Sequence, residues 1–153
     1  MKAMIIRESG EPTVFEVADL PVPEIGPGQV LVRVAATSVN PVDWKIRKLG
    51  LSLGPAMPAV LQGDVSGVVE AVGADVTAFA VGDEVYGCAG GVKGTGGALA
   101  EFMACDWEYL APKPTNLSMV EAAALPLVCL TAWEGLVEGA DVGWGQTVLV
   151  HAG

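Results

Sequence analysis

Few side chains in this 153-residue sequence are able to do chemistry, and their types restrict what that chemistry can be. His151 is the single histidine. A nucleophile needs a base within hydrogen-bond reach, and that base needs an orienting partner, so neither a Ser/His/Asp nor a Cys/His constellation can be assembled. Cys88, Cys105 and Cys129 are odd in number and widely spaced. That pattern indicates neither a disulfide framework nor a paired-cysteine metal knuckle. The polar candidates left are Asn40, Asp43, Asp64 and Thr131, and each has an ordinary structural reading. Asn40 precedes Pro41 and suits a turn. Asp43 suits the N-cap of a short helix over Trp44 to Leu49, and Asp64 a buried turn carboxylate. A threonine inside a helix often bonds the carbonyl one turn back. The glycine-rich stretch Gly87 to Gly97 fits neither a G-x-G-x-x-G nor a G-x-x-x-x-G-K-[ST] pattern. It precedes a strand rather than a helix, so it is a loop and not a phosphate cradle.

The elements that must position these residues are mostly short strands. Val30, Val32 and Val34 alternate with Leu31, Arg33 and Ala35, the period of a half-buried strand. Lys2 to Arg7 and Thr13 to Val17 form two more, separated by a turn at Ser9-Gly10-Glu11-Pro12. Val65 to Val72 is another, with Gly67 allowing close backbone approach and Gly73 ending it. Glu84 to Cys88 and Ala98 to Cys105 complete the set, and such spacing favours a barrel or sandwich over a parallel sheet. Asp43 to Leu49 is the one early helix.

Beyond residue 112 the character changes. Pro112-Lys113-Pro114 predicts a stiff connector. Ser118 with Glu121 predicts a capping box opening a helix, which Pro126 interrupts before a second helix from Leu127 to about Val137. Thr147 to Val150 has the continuous apolar run of a buried parallel strand, and a strand of that kind without neighbours implies a chain that stops early or a partner that supplies the rest.

Hydrophobic residues make up 52% and charged residues 17%, which excludes a disordered chain. Eight Lys plus Arg stand against 18 Asp plus Glu, a formal charge of -10 with no basic stripe, so nucleic acid is excluded as a partner. The N-terminus meets charge too early for a secretory core. The longest apolar run, Ala122 to Trp133, falls short of the ~20 residues a membrane span needs. A cytoplasmic protein is the expectation.

Several segments in order resemble the zinc-free quinone oxidoreductases of the medium-chain dehydrogenase/reductase superfamily. Val39-Asn40-Pro41-Val42-Asp43 is similar to their N-P-x-D segment, and Gly63-Asp64 through Gly73 to their G-x-D/E-x-x-G-x-V-x-x-V-G strand. Gly82 to Gly87 resembles G-D-x-V-x-G, Gly97 to Phe102 resembles G-x-x-A-E-[YF], and Ala122 to Pro126 precedes Leu130-Thr131-Ala132-Trp133 as in that family. Each is weak alone; together they are specific.

The resemblance implies a mainly β fold with short helices: a GroES-like, partly open barrel over residues 1–117, lacking its C-terminal return segment. Residues 118–153 would be the first helix-strand unit of an incomplete Rossmann domain. It implies Asn40 and Asp64 as catalytic-wall residues, and Asn40, Thr131 and Gly153 as contacts to the cofactor. The cofactor is NADPH, with NADH as an alternative. His151-Ala152-Gly153 resembles the start of the family's phosphate-binding turn, so His151 orients that loop rather than acting in catalysis. Zinc relatives place ligands where this chain has Asn40, Gly63 and Leu127, none of which binds zinc, so no metal is expected. Lys45 replaces a pocket tyrosine and reads as a solvated lysine, while Trp44 suits a core position or a pocket wall. The implied reaction is metal-free reduction of a quinone or another α,β-unsaturated carbonyl, in a homo-oligomer when intact and inactive as this chain alone. The rivals are an enoyl-thioester reductase of the same fold and a non-catalytic binding or assembly domain.

Overall fold

A computed structural model describes residues 1–151. The strands are β1 (Lys2–Ile6), β2 (Phe15–Asp19), β3 (Gln29–Thr37), β4 (Ala59–Val60), β5 (Asp64–Val72), β6 (Glu84–Cys88), β7 (Phe102–Asp106) and β8 (Leu110–Pro112). The helices are α1 (Pro41–Leu49), α2 (Met119–Ala123) and α3 (Pro126–Trp133), the last running into a π-helical turn over Glu134–Gly139. Two open antiparallel sheets result, one in the order β2-β1-β4 and one in the order β7-β3-β5-β6-β8. The stretch before β7 crosses between them: Met4 N donates to Leu99 O at 2.9 Å, and Glu101 N donates to Lys2 O at 3.0 Å. The fold is therefore mainly β with short helices, as the motifs imply.

Val30, Val32, Val65, Val69, Val85, Met103 and Cys105 form the larger apolar core, with Trp107 packed against it. A smaller core joins Ile6, Ile46, Ala59 and Leu61, and α1 seats against the barrel through Ile46. Leu31 is buried as well as its valine neighbours, so the first half of β3 is covered on both faces rather than on one. Gly67 faces Val34 across the β3–β5 pair, where a Cβ would lie 2.2 Å from the Arg33 carbonyl oxygen. Only a residue without a side chain lets the strands approach that closely.

Some boundaries differ from those the sequence predicts, for identifiable reasons. Pro12 starts a 3-10 turn over Pro12–Val14, so β2 begins only at Phe15. Residues 98–101 are the inter-sheet crossing, and β7 proper starts at Phe102. Pro112 ends a strand: β8 pairs with β6, and the buried Lys113 ammonium bonds the Leu117 carbonyl at 2.6 Å and Glu84 at 3.2 Å. The connector is thus tied to the sheet. Ser118 and Glu121 form the expected capping box of α2. Pro126 sits in the first turn of α3, where its missing N–H is harmless. The expected single helix to Val137 changes to a π-helical turn at Glu134, next to helix-disfavouring Gly135. Thr147 to Val150 is exposed and unpaired, not a strand. No described residue offers the flanking ladder that a parallel strand requires.

Candidate functional site

β5 begins with two fully buried polar residues, Asp64 and Ser66, alternate positions on one face of the strand. Buried polar groups need partners, and Asp64 has several. Its Oδ2 accepts from Ser38 Oγ at 2.6 Å and from Asn40 Nδ2 at 2.8 Å, and its Oδ1 accepts from the Leu127 backbone N–H at 3.0 Å. Its backbone carbonyl accepts from Thr37 Oγ1 at 2.6 Å. Ser66 Oγ donates to Met119 O at 2.6 Å. The same strand face thereby holds the loop at Ser38–Asn40 and the starts of both α2 and α3.

Asn40 is buried and is the N-cap of α1, with Pro41 in the first turn. Asp43 is therefore not the cap expected from sequence but sits three residues inside, because the helix starts at Pro41. Its carboxylate accepts the Asn40 backbone N–H at 2.7 Å. Burial pushes the Asp43 carboxyl above its usual range; the Asn40 N–H opposes this and the nearby Asp64 charge adds to it. A carboxyl raised in the folded state contributes stability fully below its unfolded value of 3.8 and loses it as pH rises through the raised value. Asp43→Asn keeps an acceptor oxygen and removes the charge. Its melting midpoint should exceed the parent's at pH 7 and converge with it below pH 3.8, as measured by calorimetry across pH.

Thr131 lies exposed on α3, one turn beyond Leu127, and bonds neither Asn40 nor Asp64. The structure thus joins Asn40 to Asp64 and links Thr131 to them only through the start of its helix. Gly153 lies outside the described residues. Trp44 is exposed rather than in the core, and the Lys45 ammonium stands 5.8 Å from its ring centroid. Ser38, Thr37 and the Leu127 amide were not singled out from sequence. The signal was present for Ser38: in an extended chain it shares a face with Asn40.

An apolar cavity of about 400 Å³ adjoins this cluster, between α3 and the β6/β8 edge, lined by Tyr86, Cys88, Tyr109, Cys129, Leu130 and Trp133 among others. Burial, then the Asp64 charge, pushes the Cys88 thiol up to about 11; burial pushes Cys105 up to about 12. Cys129 is exposed. Since the thiolate is the reactive form, N-ethylmaleimide at pH 7.5 should label Cys129 first. Cys88 and Cys105 should react more than about 100-fold slower in a peptide-mapped time course.

Of the three positions where zinc relatives carry ligands, Gly63 has no room for a side chain: a Cβ there would lie 2.6 Å from the Gly90 carbonyl oxygen. Asn40 and Leu127 offer an amide and an alkyl group, and the residues present do not fit a three-ligand zinc site. Among the described residues, no three His, Cys, Asp or Glu side chains cluster in a metal-binding arrangement. No helix among them is long and apolar enough to cross a membrane.

The sequence pattern of the alcohol dehydrogenase GroES-like domain matches residues 26–115. The 2-methylene-furan-3-one reductase of Solanum lycopersicum is 42% identical over 161 residues, covering 100% of this chain and 41% of that protein. The quinone oxidoreductase of Mus musculus is 38% identical over 152 residues, covering 99% of this chain and 45% of that protein. A native mycobacterial structure complexed with NADPH superposes with a TM-score of 0.87 at 35% identity, over 99% of this chain and 45% of the other. This chain spans less than half the length of these relatives. By its motifs, its two open sheets and these matches, the chain belongs to the alcohol dehydrogenase GroES-like domain family within the medium-chain dehydrogenases/reductases, alongside the quinone oxidoreductases.

Proposed function

We propose that this chain supplies the catalytic wall of an NADPH-dependent oxidoreductase, with NADH as the alternative donor, that reduces quinones or other α,β-unsaturated carbonyls without a metal. The observation that carries this reading is the buried Asn40–Asp64 pair, 2.8 Å apart, at a site whose ligand positions do not fit zinc. Two relatives, one a quinone oxidoreductase and one a furanone reductase, support the substrate class. Reduced nicotinamide supplies the hydride when bound. The neutral Asn40 amide and the exposed Thr131 hydroxyl suit its uncharged, hydrogen-bonding end. Residues 1–117 form the GroES-like part and residues 118–153 the entry to a nucleotide-binding part, through which the intact cytoplasmic protein forms a homo-oligomer.

The test is NADPH oxidation by the complete protein against a benzoquinone, an enone and an enoyl thioester. Turnover of the first two is expected, with kcat/KM lowered about 100-fold by Asn40→Ala. Rapid thioester turnover with no quinone or enone activity would make it an enoyl-thioester reductase. Tight, saturable binding of NADPH to these 153 residues by calorimetry, with no turnover of any substrate, would make it a binding or assembly domain.

A further inference from the structure

Helix α3 buries only Pro126, while Leu130 and Trp133 are more than half exposed. Apolar packing therefore does little to fix how α3 leaves the barrel. The first amides of a helix have no acceptor within it, and the Leu127 N–H instead reaches Asp64 Oδ1 at 3.0 Å. The other oxygen of the same carboxylate takes Ser38 Oγ and Asn40 Nδ2. Asp64 is wholly buried, and no ion pair among the described residues includes it. Its carboxylate is held inside the protein by these donors rather than presented at the surface.

We propose that Asp64 is a positioning residue that couples two separate parts of the site: it turns the Asn40 amide nitrogen inward and sets the entry of α3, and with it Thr131 one turn later. The role assigned to the two ends rests on the oxidoreductase reading, while the coupling is a property of the chain itself. A side chain in this place must accept at both of its terminal atoms, which the two oxygens of a carboxyl group allow and the oxygen and nitrogen of an amide do not. Asparagine at this position would accept at one end and present N–H against a donor at the other.

The experiment is amide hydrogen exchange, read by NMR on the 15N-labelled 153-residue chain, for the parent, Asn40→Ala and Asp64→Asn. The Val32 and Val69 amides in the core strands control for a general loss of stability. In Asp64→Asn, exchange of the Leu127 amide should accelerate about tenfold more than that of the two valines. Asn40 makes its hydrogen bonds to Ser38, Asp43 and Asp64 and none to α3, yet in Asn40→Ala the Leu127 amide should accelerate about threefold more than the valines, because the loosened carboxylate holds it less well. A Leu127 amide that changes only as much as Val32 and Val69 in both variants overturns the proposal. If Asp64→Asn does not fold, Asn40→Ala decides alone by the same criterion. Absence of NADPH oxidation by the complete protein, with Leu127 still responding, would refute the oxidoreductase reading and leave the coupling standing; turnover with an indifferent Leu127 would do the reverse.

Discussion

Gly67→Ala is expected to lower the unfolding free energy by about 3 kcal/mol, at the upper end of ordinary overpacking penalties. The added methyl would stand 2.2 Å from the Arg33 carbonyl oxygen and 2.8 Å from Val32 Cγ1, both in the neighbouring strand β3. Backbone cannot swing aside as a flexible side chain can, so β3 and β5 must separate. At a urea slope of about 2 kcal/mol/M, the midpoint should fall by about 1.5 M. Gly28→Ala is the control, since a Cβ there meets nothing within 4 Å. Equal midpoints for the two variants would show that the strand contact does not limit stability.

Asp64→Leu should have a comparable effect for the opposite reason: the space is kept but the acceptor is lost. The Ser38 hydroxyl and the Leu127 N–H would lose their partner, and the Asn40 amide nitrogen would keep only its 3.1 Å bond to Ser38 Oγ. A donor left unpaired away from water costs about 1–3 kcal/mol, and Ser38 and Leu127 are both partly buried. Relief from burying a carboxylate offsets part of that, leaving an expected net loss of about 3 kcal/mol. Asp64→Asn, which retains one acceptor oxygen, should lose about half as much. Urea denaturation monitored by far-UV circular dichroism checks both. A leucine variant as stable as the parent would mean the donors find other acceptors.

Strand periodicity and glycine placement were legible because they depend on local geometry. β6 matches its expected span at both ends, and Gly67 stands where two backbones meet. The capping box at Ser118 was equally local. Asn40 and Asp64 could be marked by motif, but not their mutual bond, since 24 residues and a strand pairing separate them. The Leu127 amide was missed for a related reason: a backbone N–H carries no motif, and only folding aims it at the carboxylate. The misread Thr147 to Val150 shows the limit of composition. A run of apolar residues states a preference for burial, whereas becoming a strand requires neighbours to complete its hydrogen bonds.

The placing of the tryptophans has an optical consequence. Trp44, Trp133 and Trp144 are 44%, 58% and 105% exposed, so three of the four indoles emit from a largely aqueous setting already in the native chain. Trp107, packed on the core, is the one whose emission should shift to the red as the barrel opens. Total fluorescence will therefore under-report unfolding. A chain retaining only Trp107 would report the barrel, and one retaining only Trp133 would report whatever comes to lie over α3.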